Sequence, residues 1–225
     1  MSWSKQHKSN GAAMNTKINH TWQNKVLILF AHPMIHRSNV NKALIAALKD
    51  LDNITIHDLY AAYPDFYIDI KQEQTLLYEH DVIVFQFPFY WYSTPAILKI
   101  WQDLVLQHGF AHGADGNALA GKYFMSVTST GAAKNTYTNE GINRYTVKEL
   151  LRPIEQMARF TGMHVIPPYI VYGTHRIHKK EILSKANDYR ELIIALRDNQ
   201  SCAHLESNKG AWSQLLAKLT GRDND

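Results

Sequence analysis

Lys25-Val26-Leu27-Ile28-Leu29-Phe30-Ala31-His32-Pro33-Met34-Ile35-His36-Arg37-Ser38-Asn39-Val40-Asn41 is the stretch from which the fold can be read. A bare aliphatic run from Val26 to Phe30 halts at Ala-His-Pro, and an amphipathic segment begins after Ser38. Such a run is typical of a parallel strand buried on both faces, and the polar residues after it mark the start of a helix. Backbone amides at a helix start lack partners and sit at the positive end of the dipole, so an anion can dock there. His32, Arg37, Ser38 and Asn41 add side-chain donors beside that end, with Asn39 and Val40 between them. The loop is chemically suited to a phosphate. Neither G-x-x-x-x-G-K-[ST] nor a G-x-G-x-x-G after a strand is present, which argues against nucleoside triphosphate folds and the common dinucleotide folds.

The rest of the chain follows the same rhythm. Further strands are predicted over 53–58, 81–87, 122–128 and 164–172, the last interrupted by Pro167 and Pro168. Helical patterns lie between them at about 40–51, 71–79, 95–107, 146–161 and 179–197. Alternation of this kind predicts an α/β domain, a doubly wound five-stranded parallel sheet with helices on both faces. The domain is assigned to 25–199, after a disordered extension over 1–24 and before a tail over 200–225. In that tail Trp212, Leu215, Leu216 and Leu219 fall at helical spacing.

Composition narrows the function. The chain has 225 residues, 45% hydrophobic and 20% charged, with a net charge of +4. All seven Lys and Arg among residues 1–49 stand without a single acid, yet no basic face with base-reading groups is evident, so no nucleic-acid partner is expected. A single cysteine, Cys202, excludes an internal disulfide and a cysteine-based metal site. The histidines show no ligand spacing, and His112, His164, His175 and His178 read as surface or loop residues. No apolar run reaches the ~18 residues of a transmembrane helix. The polar N-terminus lacks the centre of a secretory signal, so a cytoplasmic location is expected.

Ligands of open α/β sheets sit beyond the carboxyl ends of the strands. Three loops therefore matter: 32–41, 88–95 and 129–143. The second reads Pro88-Phe89-Tyr90-Trp91-Tyr92-Ser93-Thr94-Pro95, four aromatics between prolines that offer a wall for a planar ring. The third begins Thr128-Ser129-Thr130-Gly131-Ala132-Ala133, small enough for backbone amides to approach a ring edge. Phosphate loop, aromatic wall and small-residue loop together describe a flavin site. Trp91 is read as facing the ring, and Trp101, at helical spacing from Ile97, as core.

Ala31-His32-Pro33 with Ser38-Asn39-x-Asn41 resembles the first loop of the flavodoxin-like NAD(P)H:quinone oxidoreductases. The segment from Gln86 to Lys99 resembles the same family more specifically. Tyr63-Pro64-Asp65-Phe66 and Gln72-Glu73-Gln74 resemble its bacterial branch, which includes ancillary proteins of glutathione-regulated potassium-efflux systems. The resemblance spans about 25–197. It implies FMN, with FAD in the longer animal enzymes, and a homodimer with active sites at the interface, Gln74 approaching cofactor there. It also implies ping-pong transfer: NAD(P)H gives hydride to flavin N5 and leaves, then a quinone takes two electrons. By the same resemblance Tyr137 stabilises reduced flavin or orients substrate. Relatives carry Gly-Ile-His where this chain has Gly141-Ile142-Asn143, which leaves Asn143 as the candidate hydrogen-bond donor. A second function class follows from the resemblance, a regulatory subunit on the cytosolic domain of a potassium–proton antiporter, peripheral to the inner face of the membrane. A one-electron carrier is a third, disfavoured by the mildly basic charge.

Overall fold

The structure, a computed structural model, describes residues 23–198. Five strands were expected, and the sheet has five positions. Val26–Phe30 (β1), Ile54–Asp58 (β2), Val82–Pro88 (β3) and Tyr123–Ser129 (β4) fill four of them. The fifth holds two pieces, His164–Val165 (β5) and Tyr169–Val171 (β6), both paired in parallel with β4. Pro167 and Pro168 separate them, because proline has no N–H to give to the ladder. All pairings are parallel, in the order β2-β1-β3-β4-β5, the doubly wound order in which a ligand crevice opens between β1 and β3.

Strand alternation explains why the aliphatic runs are continuous. Leu27, Leu29, Ile83, Phe85 and Phe87 face one core. Val26, Ile28, Val82 and Val84 face the other. The first core is covered by Leu59–Ala62 (α2), Ile70–Glu79 (α3), Ala96–Val105 (α4), Val147–Leu150 (α5) and Arg152–Phe160 (α6). Asn39–Ala46 (α1) and the 19-residue Lys179–Arg197 (α7) cover the second. Burial of both faces is what a parallel sheet needs. The edge strand β2 is half-buried throughout.

The predicted helix over 146–161 is two helices. The capping box of Thr146 and Glu149 starts the first, and Pro153 begins the second, where a missing N–H costs nothing. Gln23 and Asn24, assigned to a disordered extension, are tied to α7: the Asn24 amide donates to the Arg197 carbonyl at 2.6 Å, and Gln23 Nε2 to Asp198 at 3.0 Å. Residues 1–22 and the predicted tail helix lie outside the described residues. No helix among the described residues is long and apolar enough to cross a membrane.

Candidate functional site

The three loops predicted from the sequence meet at one place. A cavity of about 290 Å³ lies at the carboxyl ends of β1, β3 and β4, lined from the first loop by His32, Met34, Arg37, Ser38, Asn39 and Val40. Pro88, Phe89 and Tyr90 supply the second wall, Ser129 and Gly131 the third. Thr174 and His175 close it from a fourth direction. No carboxylate is among these residues.

The anion end is built by local rules. Ser38 caps α1: its Oγ accepts the Asn41 amide at 3.2 Å. The amides of Asn39 and Val40, in the first turn where an α-helix offers no internal acceptor, belong to residues on the cavity wall. His32 is buried. Its Nδ1 accepts the Met34 amide at 3.2 Å, so a neutral ring carries its hydrogen on Nε2. Burial holds the His32 pKa below the ordinary histidine value, which keeps the ring an uncharged donor near pH 7. Arg37 then supplies a permanent charge.

Several residues assigned to cofactor contact do other work. Asn41 is turned inward, its amide donating to Ser129 Oγ at 2.9 Å and Ser38 Oγ at 3.2 Å. Thr128 and Thr130 are buried, their hydroxyls donating to the Phe87 and Ala132 carbonyls. Trp91 is 93% exposed rather than on the cavity wall. It and Tyr92 occupy the left-handed region, at φ 49° and 64°, in a tight turn closed by reciprocal Tyr90 and Ser93 backbone bonds. Strain of about 1 kcal/mol per such residue is kept only where surroundings enforce it. Gln74 is not among the residues lining the cavity and donates to the Val105 carbonyl at 3.0 Å.

The two catalytic candidates stand beside the aromatic wall. Tyr137 is buried, its ring 6.1 Å from both Phe89 and Tyr172. Burial raises its phenol pKa, so it stays a proton donor. Asn143 bridges two loops, accepting from the Tyr92 hydroxyl at 3.2 Å and donating to Thr136 Oγ1 at 3.0 Å.

His175, read from the sequence as a surface or loop residue, is part of the wall. Its ring fits because position 131 is glycine: a Cβ there would stand 2.3 Å from His175 Nε2. The carboxyl-end rule, applied to the last strand as well as the first, third and fourth, would have found the 172–175 loop.

The fit of a phosphorylated flavin can be judged from this donor set. Orphan helix amides, Arg37, a neutral His32 and two serine hydroxyls suit a phosphate, and Pro88, Phe89 and Tyr90 suit an apolar ring. Both ends of an FMN-like ligand therefore find matching chemistry.

The comparisons agree with this geometry. Residues 24–193 match the family described as having a flavodoxin-like fold. The glutathione-regulated potassium-efflux system ancillary protein KefG of Pectobacterium carotovorum subsp. carotovorum is 52% identical over 171 residues, covering 76% of this chain and 93% of that protein. Among solved structures, general stress protein 14 of Treponema denticola, in complex with FMN, is 39% identical with a TM-score of 0.74, over 76% of this chain and 99% of that one. An NADPH-quinone reductase of P. pentosaceus is 34% identical with a TM-score of 0.69, over 75% of this chain and 96% of that one. A match over that much of the sequence, to relatives this similar and nearly whole, means that the chain belongs to the flavodoxin-like family.

Proposed function

We propose that this protein binds FMN and catalyses two-electron transfer from NAD(P)H to a quinone. The observation that carries the reading is the single cavity wall on which an anion end, with Arg37, Ser38 and the start of α1, continues into the aromatic end of Phe89 and Tyr90. FMN, bound there, would supply the hydride-accepting chemistry, and the protein would supply placement and charge. Arg37, His32, Ser38, Ser129 and the amides of Asn39 and Val40 would hold the phosphate. Pro88, Phe89 and Tyr90 would position the ring. Tyr137 holds a proton within the aromatic layer, and Asn143 fixes Tyr92 against the third loop.

Two copies would complete the site. Trp91 and Ile142 are almost fully exposed beside it. A groove of about 450 Å³ has Leu106, Ile154, Met157 and Phe160 on its wall beside the polar Lys99, Gln102, Asp103 and His112. Exposed apolar side chains such as Trp91 and Ile142 suit an association surface.

A second reading is favoured by the relatives named as ancillary proteins of potassium-efflux systems. In it the flavin site serves a subunit docked on such a system at the membrane, and turnover is secondary. Visible absorption of the purified protein, followed by anaerobic addition of NADPH, separates the outcomes, with sedimentation of the same sample reporting the dimer. Flavin bands that bleach, with reoxidation by a quinone, are expected. Bands that resist both NADPH and NADH would leave only the ancillary role. No flavin uptake from added FMN or FAD would overturn the reading.

A further inference from the structure

Gln86 breaks the pattern of its strand. Val82 and Val84, on the same face of β3, pack among the apolar side chains beneath α1 and α7. At Gln86 the alternation puts a fully buried amide on that face. Such burial is tolerated only when the amide is bonded. Tyr189, inside α7 and with no exposure, donates its hydroxyl to Gln86 Oε1 at 3.0 Å. Gln86 Nε2 reaches Asn41 Oδ1 at 3.5 Å. The buried Asn41 in turn donates through Nδ2 to Ser129 Oγ at 2.9 Å and Ser38 Oγ at 3.2 Å. A polar chain thus runs from the interior of α7 to two hydroxyls on the cavity wall.

Its direction is what matters. The tyrosine donates, so the glutamine oxygen faces α7 and its NH₂ group faces Asn41. Asn41 accepts on its oxygen, so its own NH₂ group faces the serines. Each serine oxygen receives an N–H, and its remaining hydrogen is left to donate elsewhere. The cavity is the direction open to it. A flipped Asn41 would present an acceptor to both serines and draw their hydrogens inward, away from any anion.

We propose that Tyr189 is a positioning residue for anion binding: acting through Gln86 and Asn41, it sets the hydroxyls of Ser38 and Ser129 as donors toward the phosphate of the bound flavin. This rests on the flavin reading above. Burial raises the Tyr189 pKa well above the ordinary phenol value, so the chain keeps its direction at any pH where the fold survives. Ring stacking on Tyr169, at 5.7 Å and 20°, holds the phenol in place independently of its hydroxyl.

Tyr189→Phe removes the hydroxyl and keeps the ring. Flavin-free protein is titrated with FMN and with riboflavin, which lacks the phosphate, by fluorescence quenching. The dissociation constant for FMN should rise about tenfold, the scale of one lost bond to a charged group, while that for riboflavin stays within about twofold. Gln86→Met, which keeps the length and removes the amide, should repeat the pattern should Tyr189→Phe fold poorly. In a Ser38→Ala/Ser129→Ala background, Tyr189→Phe should add nothing for FMN, because its route to the phosphate is gone. Equal losses for FMN and riboflavin, no loss for either, or a full extra loss in the double-alanine background would each overturn the proposal. Wild-type protein that binds neither flavin would instead sink the flavin reading itself, and the relay with it.

Discussion

Asn143 holds two loops together through one amide, taking the Tyr92 hydroxyl on its oxygen and giving its nitrogen to Thr136. A neutral imidazole also has one donor and one acceptor, so histidine at this position can keep both partners and in addition take up a proton near pH 6.5. Asn143→His should therefore leave thermal stability unchanged. It should raise the rate of flavin reduction by NADPH in stopped-flow mixing several-fold, more at pH 6 than at pH 8. An unchanged rate at both pH values would remove Asn143 from the chemistry. At this scale the sequence is readable where function is local. His32, Ser38, Asn39 and Val40 lie within nine consecutive residues and share one wall. What it hides are partners far away in the chain. Tyr92 and Asn143 are 51 residues apart, Gln86 and Tyr189 are 103, and neither pairing leaves a local signature. Asn41 has such a distant partner too. Its place at a helix start suits a ligand contact, and β4 brings Ser129, 88 residues on, under it to accept from its side-chain amide.

Among the elements, α3 owes its position to a buried ion. Glu73, in its first turn, has no exposure and accepts from Tyr63 at 2.5 Å, Trp101 Nε1 at 2.7 Å and His57 Nε2 at 2.7 Å. One carboxylate thereby joins α3 to β2, to the end of α2 and to α4. Glu73→Gln turns an NH₂ group toward donors and strands at least one of them. The cost should be about 2–3 kcal/mol, a fall of roughly 5–10 °C in the unfolding midpoint by calorimetry. A midpoint within 2 °C of wild type, roughly what a change under 1 kcal/mol produces, would show that the three contacts are replaceable by water. The sequence reading found α3 to within one residue, because its cap, Asp69, is adjacent and its apolar positions repeat at helical spacing. It ran α5 and α6 together, since Leu150, Leu151 and Ile154 continue one stripe and only Pro153 signals the restart. The one-turn α2 escaped it for lack of length to show a period.

The whole molecule is squeezed by pH from both sides. His32 and His80 are buried with pKa values below the ordinary 6.5. One His80 ring nitrogen lies 2.6 Å from the Leu76 carbonyl and the other 2.7 Å from Thr55 Oγ1, and burial lowers its pKa. A group whose folded pKa is lowered in this way binds more protons when unfolded, so its contribution is full above pH 6.5 and fades as pH falls below it. Tyr172 behaves oppositely. Burial pushes its pKa from 10.0 up to about 12, so its contribution is full below pH 10 and is lost between pH 10 and 12. Denaturant midpoints should hold level from pH 7 to 9 and decline on either side. Tyr172→Phe should make the alkaline limb shallower, the other buried phenols keeping the rest, and leave the acid limb alone; equal alkaline slopes would contradict the assignment. A last consequence concerns where the chain enters and leaves the domain. Asn24 and Arg197 meet beside the first residue of β1, whereas the cavity opens at the other end of that strand, on the order of 16 Å away. A reporter dye attached at residue 23 or residue 198 therefore sits at the back of the described domain. Immobilised through residue 23 or 198, the domain would turn the mouth of the cavity outward, and a short linker joining those two residues would allow new termini to be cut elsewhere without approaching it.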